Sequence, residues 1–490
     1  MSLIELIKSN VMIHGKPENP NSGYIQMIKQ KITETPISDI VDDQQHQYVD
    51  LVLEGGGVLG IALIGYTYVL EQAGIRFLNI AGTSAGAINA MLLASVGYSH
   101  ELRSEQLLKI FEQMELETFV DGGFLVKKFV QEFQNNKAHL VTMIPKAAAL
   151  YLQGKFNKNT LGLNPGDAFE QWLGQTLDEH QVSNTEQLLA KLKNRPLKIR
   201  DIAEREDQEF DHYRIQHEFK KNKLAIIATE VKTESKIIFP KMGYLFWDNP
   251  MNTHPKKYVR ASMSIPLFFE PCKIKNIPRD RQYYWETLTG FRGTPPEEAC
   301  LVDGGVVSNF PIDVFHHHEF IPLCPTFGVK LGVDRTKTAN LDNIISYLGA
   351  LFDTARHTAD YSFLLQNADY EKLIAYVDTS AKFSIKKDQA KSIFQSKRIS
   401  SLKESESFSW LDFNMSDEKK VALFELGAKA AYEFIVGNVD HPGDSAETAA
   451  KTMLVEAFDW NAYKNIRKKL RITLSDREKI KMQRKEQCSL

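Results

Sequence analysis

Ser84 stands between Gly82 and Gly86 in "IAGTSAGAINAML", where an apolar, strand-like run gives way at once to a small-residue, helix-like run. In that setting G-x-S-x-G has the form of a nucleophile elbow, a sharp strand-to-helix turn that lifts the serine hydroxyl clear of the sheet. The flanking glycines suit it because a side chain at either place would collide with neighbouring backbone. The helix that begins after the serine also directs its N-terminal amides toward negative charge forming there. The plainer reading of the same residues is a tight turn whose serine only caps the helix.

A second glycine turn, "EGGGVLG" from Glu54 to Gly60, closes an earlier apolar strand. The consecutive amides of Gly55, Gly56 and Gly57 can converge on an oxyanion or a phosphate. As a nucleotide loop it is poor. It lacks the Lys-Ser/Thr pair of a P-loop, and a G-x-G-x-x-G reading through Gly55, Gly57 and Gly60 finds no acidic ribose partner in the following "GIRFLNI".

A serine hydroxyl needs a neighbour to take its proton. Asp303, in "LVDGGVVSNFPID", ends an apolar strand just before two glycines, at the sheet edge where α/β proteins present functional groups. The dipeptide alone reads more readily as an Asp-Gly turn. With an ordinary pKa of about 3.9, an aspartate acts as a base near neutrality only where desolvation raises that value. The rival base is a histidine from "DVFHHHEF", with His316 completing a Ser-Asp-His triad. Consecutive histidines point in different directions on a helix, so metal ligation by the cluster is not expected.

The elements that must position these groups follow an α/β order. "YVDLVLEGG" reads as a strand, then come a glycine turn and an amphipathic helix ended by Gly74, and "RFLNIAG" with "SAGAINAMLLASVG" repeats the unit about thirty residues later. From about 101 to 222 the texture becomes charged and helical, which predicts an insertion or cap; its apolar island at "VTMIPKAAALYL" (Val141 to Leu152) reads first as buried core of that cap, and as a surface that covers the site or touches a bilayer only second. "KLAIIATEV", "ACLVDGG" and "TFGVKLG" resume the strands. "SWLDFNMSDEKKVALFELGAKAAYEFIVG" predicts a short strand and then a helix capped by Ser416 and closed by Gly437. Residues 1–47 read as a polar extension, 48–437 as the main domain and 438–490 as a basic tail.

The chain has 490 residues, 43% of them apolar and 25% charged, with a formal net charge of -2. That balance gives no global bias toward nucleic acid. The cysteines, Cys272, Cys300, Cys324 and Cys488, have neither zinc-site nor disulfide spacing and suit a reducing compartment. The N-terminus lacks the basic n-region of a secretory signal, and no apolar run approaches a membrane span. A cytoplasmic protein is therefore expected, without metal or cofactor. Tyr463 to Glu486 carries ten basic against three acidic residues, so the tail is a candidate for peripheral contact with an anionic membrane surface.

Taken together, "LVLEGGGVLGIALIGYTYVLEQAGI", "IAGTSAGAINAML", "VRASMSIPLFFEP" and "VDGGVVSNFPI" resemble the patatin-like phospholipases, in that family's order, over about Leu51 to Gly437. The resemblance implies a three-layer α/β/α fold with a mostly parallel central sheet and a helical insertion. It also implies hydrolysis of lipid acyl esters, of phospholipase A or lysophospholipase type, by a serine-aspartate dyad with no catalytic histidine. The nucleophile falls on Ser84, the base on Asp303 and the oxyanion loop on Gly55, Gly56 and Gly57; Ala261 to Pro271 shapes the site. A membrane lipid is then the substrate. One departure is visible: Leu59 occupies the position where the family's loop usually has Arg or Lys, which keeps a silent lipid-binding module among the alternatives, beside a general esterase using His316.

Overall fold

A computed structural model of the chain describes residues 2–121, 161–193, 198–199, 223–316, 321–332, 344–379, 408–410, 412–437 and 456–470, with the single positions 338 and 341. The apolar island at 141–152 and the tail beyond 470 lie outside the described residues.

Residues 1–47 are less of an arm than their polarity predicts. They form α1 (Leu3–Lys8), α2 (Val11–His14) and α3 (Tyr24–Glu34), and bury Leu3, Ile7, Ile13, Tyr24, Ile28 and Ile32. These side chains belong to the same core cluster as the sheet. Their spacing of three or four residues puts one apolar stripe inward, and that stripe keeps a polar-looking segment on the domain.

The main domain starts with strand β1 (Gln47–Leu53), helix α4 (Gly60–Gln72), strand β2 (Ile75–Thr83) and helix α5 (Ala85–Ser95). After α6 (Ser104–Gln113), α7 (Asp167–Glu179) and α8 (Thr185–Lys193) come β3 (Leu224–Glu230), β4 (Ser235–Phe239) and α9 (Lys256–Ser262). The chain continues through β5 (Cys272–Lys275), β6 (Glu298–Asp303), β7 (Thr326–Leu331), α10 (Ile344–Gln366), β8 (Ile374–Val377) and α11 (Asp417–Val436).

The strands order as β8-β7-β1-β2-β3-β6-β5, with β4 also paired to β3. From β8 to β3 every pairing is parallel, whereas β6 and β4 run antiparallel to β3, and β5 antiparallel to β6. β1, β2 and β3 are buried at every residue, as expected of parallel strands with both faces covered. Helices α4 and α5 are apolar on nearly all sides and lie inside the molecule. This is the α/β fold with a mostly parallel central sheet that the strand and helix order predicts.

Helix α11 is capped as its sequence indicates: the Ser416 hydroxyl accepts from the Lys419 amide, and the chain leaves at Gly437. Among the described residues before it, 408–410 and 412–416, the expected short strand is not present. Instead the Trp410 carbonyl accepts the Val58 amide at 3.0 Å, so this segment closes over the glycine turn rather than joining the sheet. Among the described residues no helix is long and apolar enough to cross a membrane.

Candidate active site

Ser84 sits at the junction of β2 and α5 with φ +53° and ψ -118°. A side chain pays for that left-handed φ with strain, which marks the sharp turn of an elbow. The two glycines are there for contact. A Cβ on Gly82 would lie 2.2 Å from the Gly86 carbonyl oxygen, and one on Gly86 would lie 2.2 Å from the Leu53 carbonyl oxygen. The turn is therefore closed on itself and seated on β1. Two further bonds fix it: the Ser84 amide donates to Ser262 Oγ at 3.0 Å, and Thr83 Oγ1 donates to the Ser308 carbonyl at 3.0 Å.

Strand register explains how Asp303 reaches this serine from 219 positions further along the chain. In β3, Ile227 lies opposite Thr83 of β2, and the next residue, Ala228, lies opposite Asp303 of β6. Ser84 and Asp303 thus leave the sheet at the same level on either side of β3, about 10 Å apart by strand spacing, a gap that two facing side chains can close. The rule that parallel strands present functional groups at their carboxyl ends applies to Ser84 and the glycine turn. It does not apply to Asp303, because β6 is antiparallel and descends to the same edge from beyond it. The Ser84 hydroxyl stands close enough to the Asp303 carboxylate to favour its ionised form, and both residues line one cavity.

Burial pushes the Asp303 carboxyl up from 3.8 to about 6, against the opposing pull of the Ser84 hydroxyl, the Gly305 amide and the Arg356 charge. The Gly305 amide donates to Asp303 Oδ1 at 2.7 Å. A base with a pKa near working pH is both ionised and able to hold a proton, which is the compromise general-base chemistry requires.

The glycine turn is only partly available to an oxyanion. The Gly55 amide donates to the Asn309 carbonyl at 3.1 Å and is spent on that bond. The amides of Gly56 and Gly57, by contrast, have no protein acceptor among the described residues. Gly57 has φ +57°, and a Cβ there would meet the Trp410 carbonyl oxygen at 2.3 Å.

Two cavities meet at Ser84. One is apolar, walled by Ile61, Ile64 and Ile88 from the elbow side and by Leu107, Phe111 and Phe169 from α6 and α7. The described part of the 101–222 insertion therefore builds a wall of the site. The other cavity is polar and is lined by Gly56, Gly57, Leu59, Asp303, Asp353 and Arg356.

Residues that the sequence pattern did not single out hold this arrangement. Asp360 of α10, buried, accepts from Ser308 Oγ at 2.7 Å and from the amides of Asn309 at 3.0 Å and Phe310 at 2.9 Å, which pins the turn that follows Asp303. Burial raises its carboxyl to about 6 despite those donors. Asn309 Nδ2 reaches back to Gly55 O and Glu54 Oε1, tying that turn to the glycine loop. Within Ala261 to Pro271, Ser262 takes the Ser84 amide and the Ser264 carbonyl takes the Asp303 amide at 2.9 Å. Arg260 locks the segment by bonding Ser264 Oγ and the Pro165 and Glu270 carbonyls.

His316 is not brought to the site. Its Nδ1 lies 2.7 Å from the Tyr370 hydroxyl, and its ring packs edge-on against Phe363 and Tyr370. His317 and His318 lie outside the described residues.

The chain is similar to several known proteins. YqhO of Bacillus subtilis (strain 168), an uncharacterized protein, is 28% identical over 393 residues, covering 79% of this chain and 98% of that one. The crystal structure of VipD from Legionella pneumophila matches at 16% identity with a TM-score of 0.29, over 71% of this chain and 65% of VipD. The family model described as patatin-like phospholipase matches residues 51–316, the stretch from the glycine turn through Ser84 to just beyond Asp303. With more than half of its length matched, this chain belongs to the patatin-like phospholipases, a family of lipid acyl hydrolases.

Proposed function

We propose that this protein releases fatty acid from lipid acyl esters through a covalent acyl-enzyme on Ser84, with Asp303 as its base. The observation that carries the reading is an elbow serine sharing a cavity wall with a buried carboxylate raised to about 6, at the point where an apolar and a polar cavity meet.

The scissile acyl chain lies in the apolar cavity and the rest of the lipid in the polar one, so the ester carbonyl falls beside Ser84. Asp303 takes the serine proton as Oγ attacks the carbonyl carbon. The Gly56 and Gly57 amides hold the oxyanion, aided by the amide end of α5. When the intermediate collapses, Asp303 returns the proton to the leaving alkoxide and the alcohol departs. Water then gives a proton to Asp303, its oxygen attacks the acyl carbon, and Ser84 regains its hydrogen as the fatty acid leaves. Esters suit a two-residue site because an alkoxide needs less protonation to depart than an amine does. A peripheral encounter with membrane through the basic tail fits such a substrate.

Fatty-acid release from phospholipid, lysophospholipid and monoacylglycerol by the parent, Ser84→Ala, Asp303→Ala and His316→Ala tests this. Loss in the first two with activity kept in the third is expected. Full activity in Ser84→Ala would remove the acyl-enzyme, and loss in His316→Ala with a fold intact by circular dichroism would favour a triad.

A further inference from the structure

The polar cavity beside Ser84 has one cation among its described lining residues, Arg356. Its neighbours there are two carboxylates, Asp303 and Asp353, a glycine turn and apolar side chains that include Leu59. Leu59 faces the same space and brings no charge to it. The arginine comes from α10, an element on which the candidate dyad does not draw.

Three features make Arg356 a receptor rather than a partner already taken. Its ion pair is with Asp353, three residues away on the same helix, at 3.8 Å, and that carboxylate is half exposed. Such a pair in contact with water contributes little and exchanges readily. The Arg356 Nε is buried and has no hydrogen-bond acceptor among the described residues, so one donor of the guanidinium is unused. A group of five donors in a planar fork, held by one weak ion pair at the wall of a polar cavity, is suited to take a two-oxygen anion.

Its position is fixed by packing. Arg356 is one helical turn before Asp360 and therefore on the same face of α10. The Asp360 bonds to Ser308, Asn309 and Phe310 dock that face on the turn after Asp303. The same bonds that hold the dyad's turn thus hold the guanidinium over the cavity.

We propose that Arg356 binds the phosphate of the substrate, and so selects phospholipids or lysophospholipids over neutral acyl esters. The inference rests on the acyl-ester reading of the site and adds the substrate class to it. The phosphate of a glycerophospholipid lies only a few bonds from its acyl ester. With the ester at Ser84 and the chain in the apolar cavity, the phosphate therefore falls in the polar cavity that Arg356 lines. Arg356 also stands near enough to Asp303 to favour its ionised form. Losing that effect would slow every substrate alike, so it cancels when two substrates are compared.

The test is the ratio of kcat/KM for a monomeric lysophosphatidylglycerol to that for a monoacylglycerol of the same chain, in the parent, Arg356→Gln and Arg356→Lys. A charge-assisted hydrogen bond pair makes the expected fall in the ratio tenfold to a hundredfold for Arg356→Gln. Arg356→Lys should recover part of it, having the charge without the fork. An unchanged ratio, whether both substrates slow together or neither does, overturns the proposal. Binding separates this from failure of the hydrolase reading. An alkyl-ether lysophosphatidylglycerol, which has no ester to cleave, should bind the Ser84→Ala protein at least tenfold more tightly than the Ser84→Ala/Arg356→Gln protein at equal thermal stability. Equal affinities overturn the proposal whatever the parent hydrolyses.

Discussion

Replacing Asp303 with Asn should abolish activity and stabilise the protein, and the size of the gain should depend on pH in a defined way. The Asp303 carboxyl has a folded-state pKa of about 6 against an ordinary 3.8. Below 3.8 it is protonated in both states and its ionisation costs folding nothing. Between 3.8 and 6 the unfolded chain releases the proton and the folded chain keeps it, so stability falls as pH rises; above 6 the loss is complete. At about 1.36 kcal/mol per pH unit, the gap amounts to about 3 kcal/mol, most of it lost between pH 4 and pH 7.5. Asparagine keeps the shape, can accept from the Gly305 amide with its oxygen and donate to Ser84 Oγ with its nitrogen, and carries no charge to desolvate. Urea unfolding of both proteins at several pH values isolates this carboxyl, because every other titrating group cancels in the difference. Asp303→Asn should exceed the parent by about 2 to 3 kcal/mol at pH 7.5, and the excess should shrink toward pH 4. A variant no more stable than the parent at pH 7.5, or a difference independent of pH, would refute the argument that burial without a full ionic partner is what tunes this base.

The same carboxyl must be ionised to accept the serine proton, so kcat/KM should rise with pH through about 6 and level off above it; an acid limb near 4 in the parent's pH–rate profile would contradict the burial argument. Ser84→Gly should be more stable than Ser84→Ala by about 1 kcal/mol or more, since both lack the hydroxyl but only glycine adopts φ +53° freely; equal melting temperatures would mean the elbow is unstrained. Asp360→Ala removes the acceptor of three buried donors at a cost of roughly 1–3 kcal/mol each. At pH 4, where the raised Asp360 carboxyl costs folding little, it should therefore lower stability by at least about 3 kcal/mol and reduce activity with it, and a loss under about 1 kcal/mol by urea unfolding at that pH would remove Asp360 as the support of the Asp303 turn.

What could be read in advance divides along the range of the interactions. Ser84, Gly82 and Gly86 were legible because an elbow is local: strand, crowded turn and helix are contiguous, and the glycines record contacts with backbone a few positions away. The buried strands were legible for the same reason, as apolar runs need no partner to be named. Asp303 could be named from a family-like motif, yet its approach to Ser84 depends on the register of two strands with β3 between them, one parallel and one antiparallel, and nothing in "LVDGG" states that. The bond that takes up the Gly55 amide could not be read from "EGGG", because its acceptor, the Asn309 carbonyl, lies 254 positions away. Arg356 and Asp360 show the limit most clearly. "DTARHTAD" looks like any solvated helix, and its spacing of three and four residues only indicates that Asp353, Arg356 and Asp360 share a face. Whether that face meets water or an active site is decided by where α10 docks, and the docking is performed by Asp360 itself, through donors on a turn whose own position follows from β6. A charged face becomes part of a site only when one of its members is buried against the machinery. The pairing of a buried acceptor with an underused cation one turn away is therefore the feature that turns an ordinary helix into a wall with a function.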